Sequence, residues 1–129
     1  MMETHFVSVP GGSLFTMSTG SVTQPAAVML HSGIAHSAMW VSLMNVFRDE
    51  LFSVAYDCRC FGSSRTTPDG TYSDIVDLAA VSDAYGLDSS ILIGSSRGAR
   101  IAIDFALTHP RRVRGLFLLS PDIAGFDIP

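Results

Sequence analysis

The stretch Gly94-Ser95-Ser96-Arg97-Gly98 constrains this chain more than any other. It follows the apolar run Ser90-Ile91-Leu92-Ile93 and opens the apolar-periodic stretch Ala99 to Leu107. A G-x-S-x-G pattern between a strand and a helix is the setting for a sharp elbow that presents a serine. The backbone at such a turn is strained, and strand and helix approach closely. Positions two residues either side of the serine must therefore lack bulk. Gly94 and Gly98 meet that demand, and Ser96 is centred between them; Ser95 reads as a small turn residue. The Ser96 hydroxyl then projects from the carboxyl end of a strand at a helix N-terminus, where backbone N–H groups stabilise negative charge. The bare pattern is a weak signal, and an ordinary Gly/Ser strand-to-helix turn is its plain alternative.

The rest of the chain supplies context. Thr4 to Val9 alternates, Pro10-Gly11-Gly12 turns, and Ser13 to Met17 returns, which predicts a hairpin. Residues 19–25 read as a polar loop. Ala26 to Leu30 is a continuous apolar run suited to a strand buried on both faces, Phe52 to Tyr56 and Ile91 to Ile93 read as further buried strands, and Gly115 to Leu119 is a fourth apolar run. Met39 to Arg48 has helical periodicity. Phe61 to Thr71 is a Gly/Ser/Thr/Pro-rich loop. Ser73 is placed to cap a helix through Tyr85, which Gly86 ends. Arg97 to Thr108 forms the helix after the elbow, with Ile101, Ala102, Phe105 and Ala106 on one face and an Arg100/Asp104 pair on the other. His109-Pro110 ends it, and His109 suits the helix C-terminus. Strands alternating with helices imply right-handed crossovers and a mostly parallel sheet, with ligands beyond the carboxyl ends of the strands. His31-Ser32-Gly33, Asp57 and Ser95-Ser96 all fall at such ends.

Composition narrows the function classes. At 129 residues the chain reads as a single domain spanning 1–129. Its 47% hydrophobic and 16% charged content indicates a packed core. A net charge of −4 offers no basic surface for nucleic acid. The Arg111-Arg112-x-Arg114 cluster reads as a solvated helix-to-strand corner. Apolar runs fall far short of a membrane span, and the N-terminus lacks a basic start followed by an apolar stretch, so a cytoplasmic location is expected. Cys58 and Cys60 sit two residues apart, a spacing that does not easily close a disulfide, and lack further ligands at metal spacing, which predicts reduced thiols and no metal site.

Together these residues resemble the N-terminal half of an α/β-hydrolase-fold protein of the lipase-like and enol-lactonase-like kind. His31-Ser32-Gly33 with Trp40 resembles the family's oxyanion-loop stretch. Asp57-Cys58-Arg59-Cys60-Phe61-Gly62-Ser63-Ser64 is similar to its Asp-x-Arg-Gly-x-Gly-x-Ser loop, with Cys60 standing where Gly is usual. Gly94 to Gly98 resembles the elbow, and His109-Pro110-Arg111-Arg112-Val113 the approach to the next strand. The fold implied is a partial α/β-hydrolase fold: an N-terminal hairpin, then a mostly parallel sheet flanked by helices, without the C-terminal strands and lid. By resemblance Ser96 is the nucleophile, and the backbone N–H groups of Gly33 and Arg97 form the oxyanion hole. His31, Asp57 and Arg59 support the loops, and Trp40 anchors the core. The resemblance implies a serine hydrolase acting on a small-molecule ester, lactone or related acyl substrate, with no cofactor, no metal and no membrane.

The family's acid and histidine follow the elbow, in the order Ser, acid, His. Here no histidine follows His109, which the helix carries about 15 Å from Ser96. Asp122 lies near one alternative acid location. The expectation is a truncated chain: a gene fragment, a split subunit awaiting a complementary C-terminal half, or a non-catalytic binding module that retains the oxyanion pocket. Gly115 to Leu119 then becomes a sheet edge open to pairing or self-association.

Overall fold

A computed structural model describes residues 2–68 and 70–121. The hairpin forms from β1 (Glu3–Val9) and β2 (Gly12–Thr19), each longer than the alternation alone indicated. The apolar runs become β3 (Ala26–Leu30) and β4 (Phe52–Tyr56), and every residue of both is buried. Arg65–Thr66, inside the Gly/Ser-rich loop, adds a two-residue strand β5 against β2, where sequence pattern indicated only loop. β6 (Ser90–Ser95) and β7 (Val113–Leu119) complete the sheet.

The strand order is β1-β2-β4-β3-β6-β7, with β5 paired to β2. β1 and β2 run antiparallel, as do β2 and β4, while β4, β3, β6 and β7 are parallel neighbours. In the parallel half each strand is joined to the next through a helix.

Among the described residues, three helices cover the sheet. Residues expected to begin a helix at Met39 instead form a 3-10 turn over Ser37–Trp40, which leads into α1 (Val41–Phe47). The His36 side chain accepts the Ala38 N–H at the start of that turn. Trp40 and Met44 pack with Met17, Met29 and Ala55 on this face. On the opposite face α2 (Asp74–Ala84) and α3 (Arg97–Thr108) lay Leu78, Val81, Ile101, Ala102 and Phe105 against Val28, Leu30, Val54 and Leu92. Ser73 caps α2 by accepting the Val76 N–H.

The arginine corner after α3 is less solvated than expected. Arg112 donates to Asp83 at 2.7 Å and to the Leu87 carbonyl at 2.9 Å, and so ties the start of β7 to the end of α2. A cation in this position gains a charged and a neutral acceptor together, which the spacing of three arginines does not reveal. Among the described residues no helix is long and apolar enough to cross a membrane.

Candidate active site

Ser96 sits between the end of β6 and the start of α3 with φ 53° and ψ −110°. A non-glycine residue here carries backbone strain that persists only where its surroundings over-determine it. The surroundings do so. A Cβ on Gly98 would lie 2.2 Å from the Leu30 carbonyl oxygen, and one on Gly94 would lie 2.5 Å from the Gly98 carbonyl oxygen. Strand and helix therefore meet at a distance that only glycine permits on both flanks. The Ser96 N–H donates to the Leu119 carbonyl at 2.8 Å, and the Ser96 carbonyl accepts the Arg100 N–H at 3.1 Å, which fixes the bend to β7 and to the first turn of α3.

The loop after β3 approaches this elbow. Gly33 faces the Arg97 side chain: a Cβ there would meet Arg97 Cδ at 3.7 Å and Cβ at 3.8 Å. Gly33 and Arg97 are thus brought together beside Ser96, at the carboxyl ends of neighbouring strands β3 and β6. His31 anchors the base of the loop. It is fully buried, its Nε2 accepts the Cys58 N–H at 3.0 Å, and its other ring nitrogen lies 2.7 Å from the Ser32 carbonyl. An acceptor Nε2 places the proton on Nδ1, which donates to Ser32. Burial lowers the His31 pKa, against the opposing effects of the Ser32 carbonyl and the Asp57 carboxylate.

Asp57 and Arg59 hold the second loop. Asp57 Oδ1 accepts the Ser37 N–H at 2.7 Å and Oδ2 accepts the Ser63 N–H at 2.8 Å, joining the 3-10 turn to the loop after β4. Arg59 pairs with Asp77 of α2 at 3.0 Å and donates to the Pro10 carbonyl at 2.8 Å, with both charged side chains almost fully buried. Cys60 has φ 69°, so it adopts the left-handed backbone for which glycine is the usual residue. Cys58 is buried and Cys60 exposed, both as free thiols, and burial pushes Cys58 up to about 11.

The histidines are engaged elsewhere. Besides His31 and His36, His5 lies on the exposed face of β1 and stands edge-on to Tyr85. His109 stacks on Phe105 with ring centroids 4.6 Å apart and bonds Thr108 at the far end of α3. Asp122 lies outside the described residues. The side chain that sequence reasoning missed is Arg97. It was assigned a backbone role only, yet its Nη2 donates to Asp74 Oδ2 at 2.9 Å and its guanidinium lies 5.1 Å from the Phe61 ring centre. No periodicity signals a contact between residues 74 and 97.

Comparison with known proteins agrees with this fold. The sequence profile of the alpha/beta hydrolase fold matches residues 25–127, and the chain belongs to that family. It is 27% identical over 123 residues to carboxylesterase YbfK of Bacillus subtilis, covering 92% of this chain and 41% of the relative. It is 34% identical over 108 residues to 2-hydroxymuconate semialdehyde hydrolase of Pseudomonas sp. (strain CF600), covering 79% of this chain and 38% of the relative. The crystal structure of Cfl2 from Burkholderia cenocepacia superposes with a TM-score of 0.89 at 26% identity, covering 99% of this chain and 44% of that one. The chain thus spans about two-fifths of the length of these relatives.

Proposed function

We propose that this chain carries the nucleophile portion of a serine hydrolase that acts on a carboxylic ester, lactone or related acyl substrate. The observation that carries the reading is the strained Ser96 backbone at the β6–α3 junction, enforced by glycine on both flanks. The Ser96 hydroxyl attacks the substrate carbonyl, and the N–H groups of Gly33 and Arg97 receive the oxygen that becomes negative. One such donor contributes about 3–4 kcal/mol in enzymes of this kind. The relatives named as a carboxylesterase and a semialdehyde hydrolase support the acyl-substrate class. His31, Asp57 and Arg59 act as loop supports, because each is tied to backbone groups or to a neighbouring ion.

A general base must lie within hydrogen-bond reach of the nucleophile. Among the described residues no histidine hydrogen-bonds the Ser96 hydroxyl, so weak or no ester hydrolysis by the chain alone is the expected outcome. The same observation favours a second reading, a non-catalytic module that binds an acyl ligand in the oxyanion pocket. A fluorophosphonate probe separates the two. Labelling of the chain that is lost in Ser96→Ala supports an activated serine. Absence of labelling, with an acyl ligand still bound, favours the binding module.

A further inference from the structure

The loop after β3 is anchored at both ends and bare at its tip. His31 fixes one end, and the Asp57–Ser37 bond fixes the other. Between them Gly33 and Ile34 are exposed, and Ile34 has no shielding at all. At Gly33 a Cβ would meet, within 4 Å, only the Cδ and Cβ of Arg97. The side chain that the tip faces at Gly33 is therefore the aliphatic stem of Arg97, while the turn itself is closed by the Ala35 N–H donating to the Ser32 carbonyl at 3.2 Å.

That stem is itself held at its far end. The guanidinium pairs with Asp74 at the first turn of α2 and covers Phe61 of the loop after β4, and its charge acts on the buried Cys58 thiol. Burial opposes the Arg97 charge most strongly of any single influence, but Asp74 and Cys58 together hold its pKa above the usual arginine value. Guanidinium suits such a seat, because it stacks on a ring with its face while its edge donates to a carboxylate. The main-chain N–H of the same residue is fixed by the elbow.

We propose that the Arg97 side chain is a strut that sets the spacing between the Gly33 and Arg97 amides. It is a positioning residue for the reaction proposed above, acting through the Gly33 loop and not on the substrate. The inference rests on the Ser96 reading for its catalytic consequence, while its structural part stands on its own. Two amides converge on one oxygen only if the loop tip holds its place to a fraction of an ångström. A displacement of about 1 Å at such a site costs up to about 100-fold in rate.

The test uses the whole chain and reads loop and serine separately. In the wild type the Gly33 N–H order parameter is expected near 0.85, the value of rigid backbone. Arg97→Ala keeps the main-chain N–H and removes the strut, so the Gly33 value is expected below about 0.6 while Gly94 and Gly98 stay rigid. Arg97→Lys keeps the stem and a cation for Asp74 and is expected to restore most of the order. Should Arg97→Ala fail to fold, Asp74→Asn frees the guanidinium with the stem in place and is expected to lower Gly33 order in the same direction. An unchanged Gly33 value in the variants, or a wild-type Gly33 that is already mobile, overturns the proposal. The fluorophosphonate rate at Ser96 is expected to fall about 10- to 100-fold in Arg97→Ala and to recover in Arg97→Lys. A wild type that takes no label sinks the activated-serine reading of Ser96, and the order parameters still decide the strut.

Discussion

His31, Asp57 and Arg59 are polar or charged, yet they are only 0%, 2% and 1% exposed; Leu116, Phe117 and Leu119 are apolar, yet they are 41%, 63% and 44% exposed. Burial in these two regions runs opposite to side-chain polarity. The loop cluster can be buried because each ion and dipole has a partner: Cys58 and Ser32 for His31, Ser37 and Ser63 for Asp57, Asp77 and Pro10 for Arg59. β7 has a partner on one side only, and among the described residues nothing pairs with its outer edge. An apolar strand without a neighbour stays wet however hydrophobic it is. The comparison teaches that the region around Ser96 is held by specific polar contacts, whereas the β7 flank contributes surface.

The largest expected effect breaks a buried ion in the first region. Asp77→Ala leaves the Arg59 guanidinium without its carboxylate and is expected to cost about 3–5 kcal/mol by urea titration. The paired change Arg59→Met with Asp77→Leu removes both charges and is expected to cost clearly less than Asp77→Ala alone. Equal losses would show that the ion pair is not what holds the loop.

A second effect follows from His31. Its folded pKa lies below the ordinary 6.5, chiefly through burial, so the folded chain binds a proton less readily than the unfolded one. Stability is therefore constant with pH well above 6.5. It declines as pH falls below that value, until the folded pKa is reached. Urea midpoints between pH 7.5 and 5 should show this decline, and His31→Asn should flatten it over the same window. A wild-type midpoint that rises on acidification contradicts the assignment of a neutral, acceptor Nε2.

A smaller change tests local strain in the same loop. Cys60 holds a left-handed backbone that glycine adopts freely, so Cys60→Gly is expected to raise stability by about 1 kcal/mol. A loss of stability would mean that the thiol contributes more than its backbone costs. Smallest of all is Phe117→Ser in β7. The ring is mostly exposed, so the urea midpoint should move by no more than about 0.5 kcal/mol in free energy, while light scattering at high concentration should drop. A large stability loss would show that β7 is more deeply packed than the comparison states.

Much of this architecture was legible in the residues. Fully apolar runs such as Ala26–Leu30 can be buried on both faces only in a covered parallel sheet, and that is where they lie. Gly94 and Gly98 announced a close strand–helix approach because no larger residue fits. Features that depend on distant partners were not legible. β5 exists because Arg65 and Thr66 meet Ser13 and Gly12, and the Ser37–Trp40 turn begins where Asp57 and His36 accept its first N–H groups. Arg112 looked solvated until Asp83 and Leu87 came beside it. Arg97 carried a positional meaning in the motif, while its side chain found Asp74 and Phe61 only through the fold.

The central claim is that Ser96 presents its hydroxyl where the Gly33 and Arg97 amides meet. A crystal structure of the chain after reaction with a small fluorophosphonate tests it most directly. The account predicts a phosphonyl group on Ser96 Oγ with one oxygen about 2.7–3.1 Å from both main-chain nitrogens. An adduct whose oxygens all face solvent, or one formed on a residue other than Ser96, contradicts it.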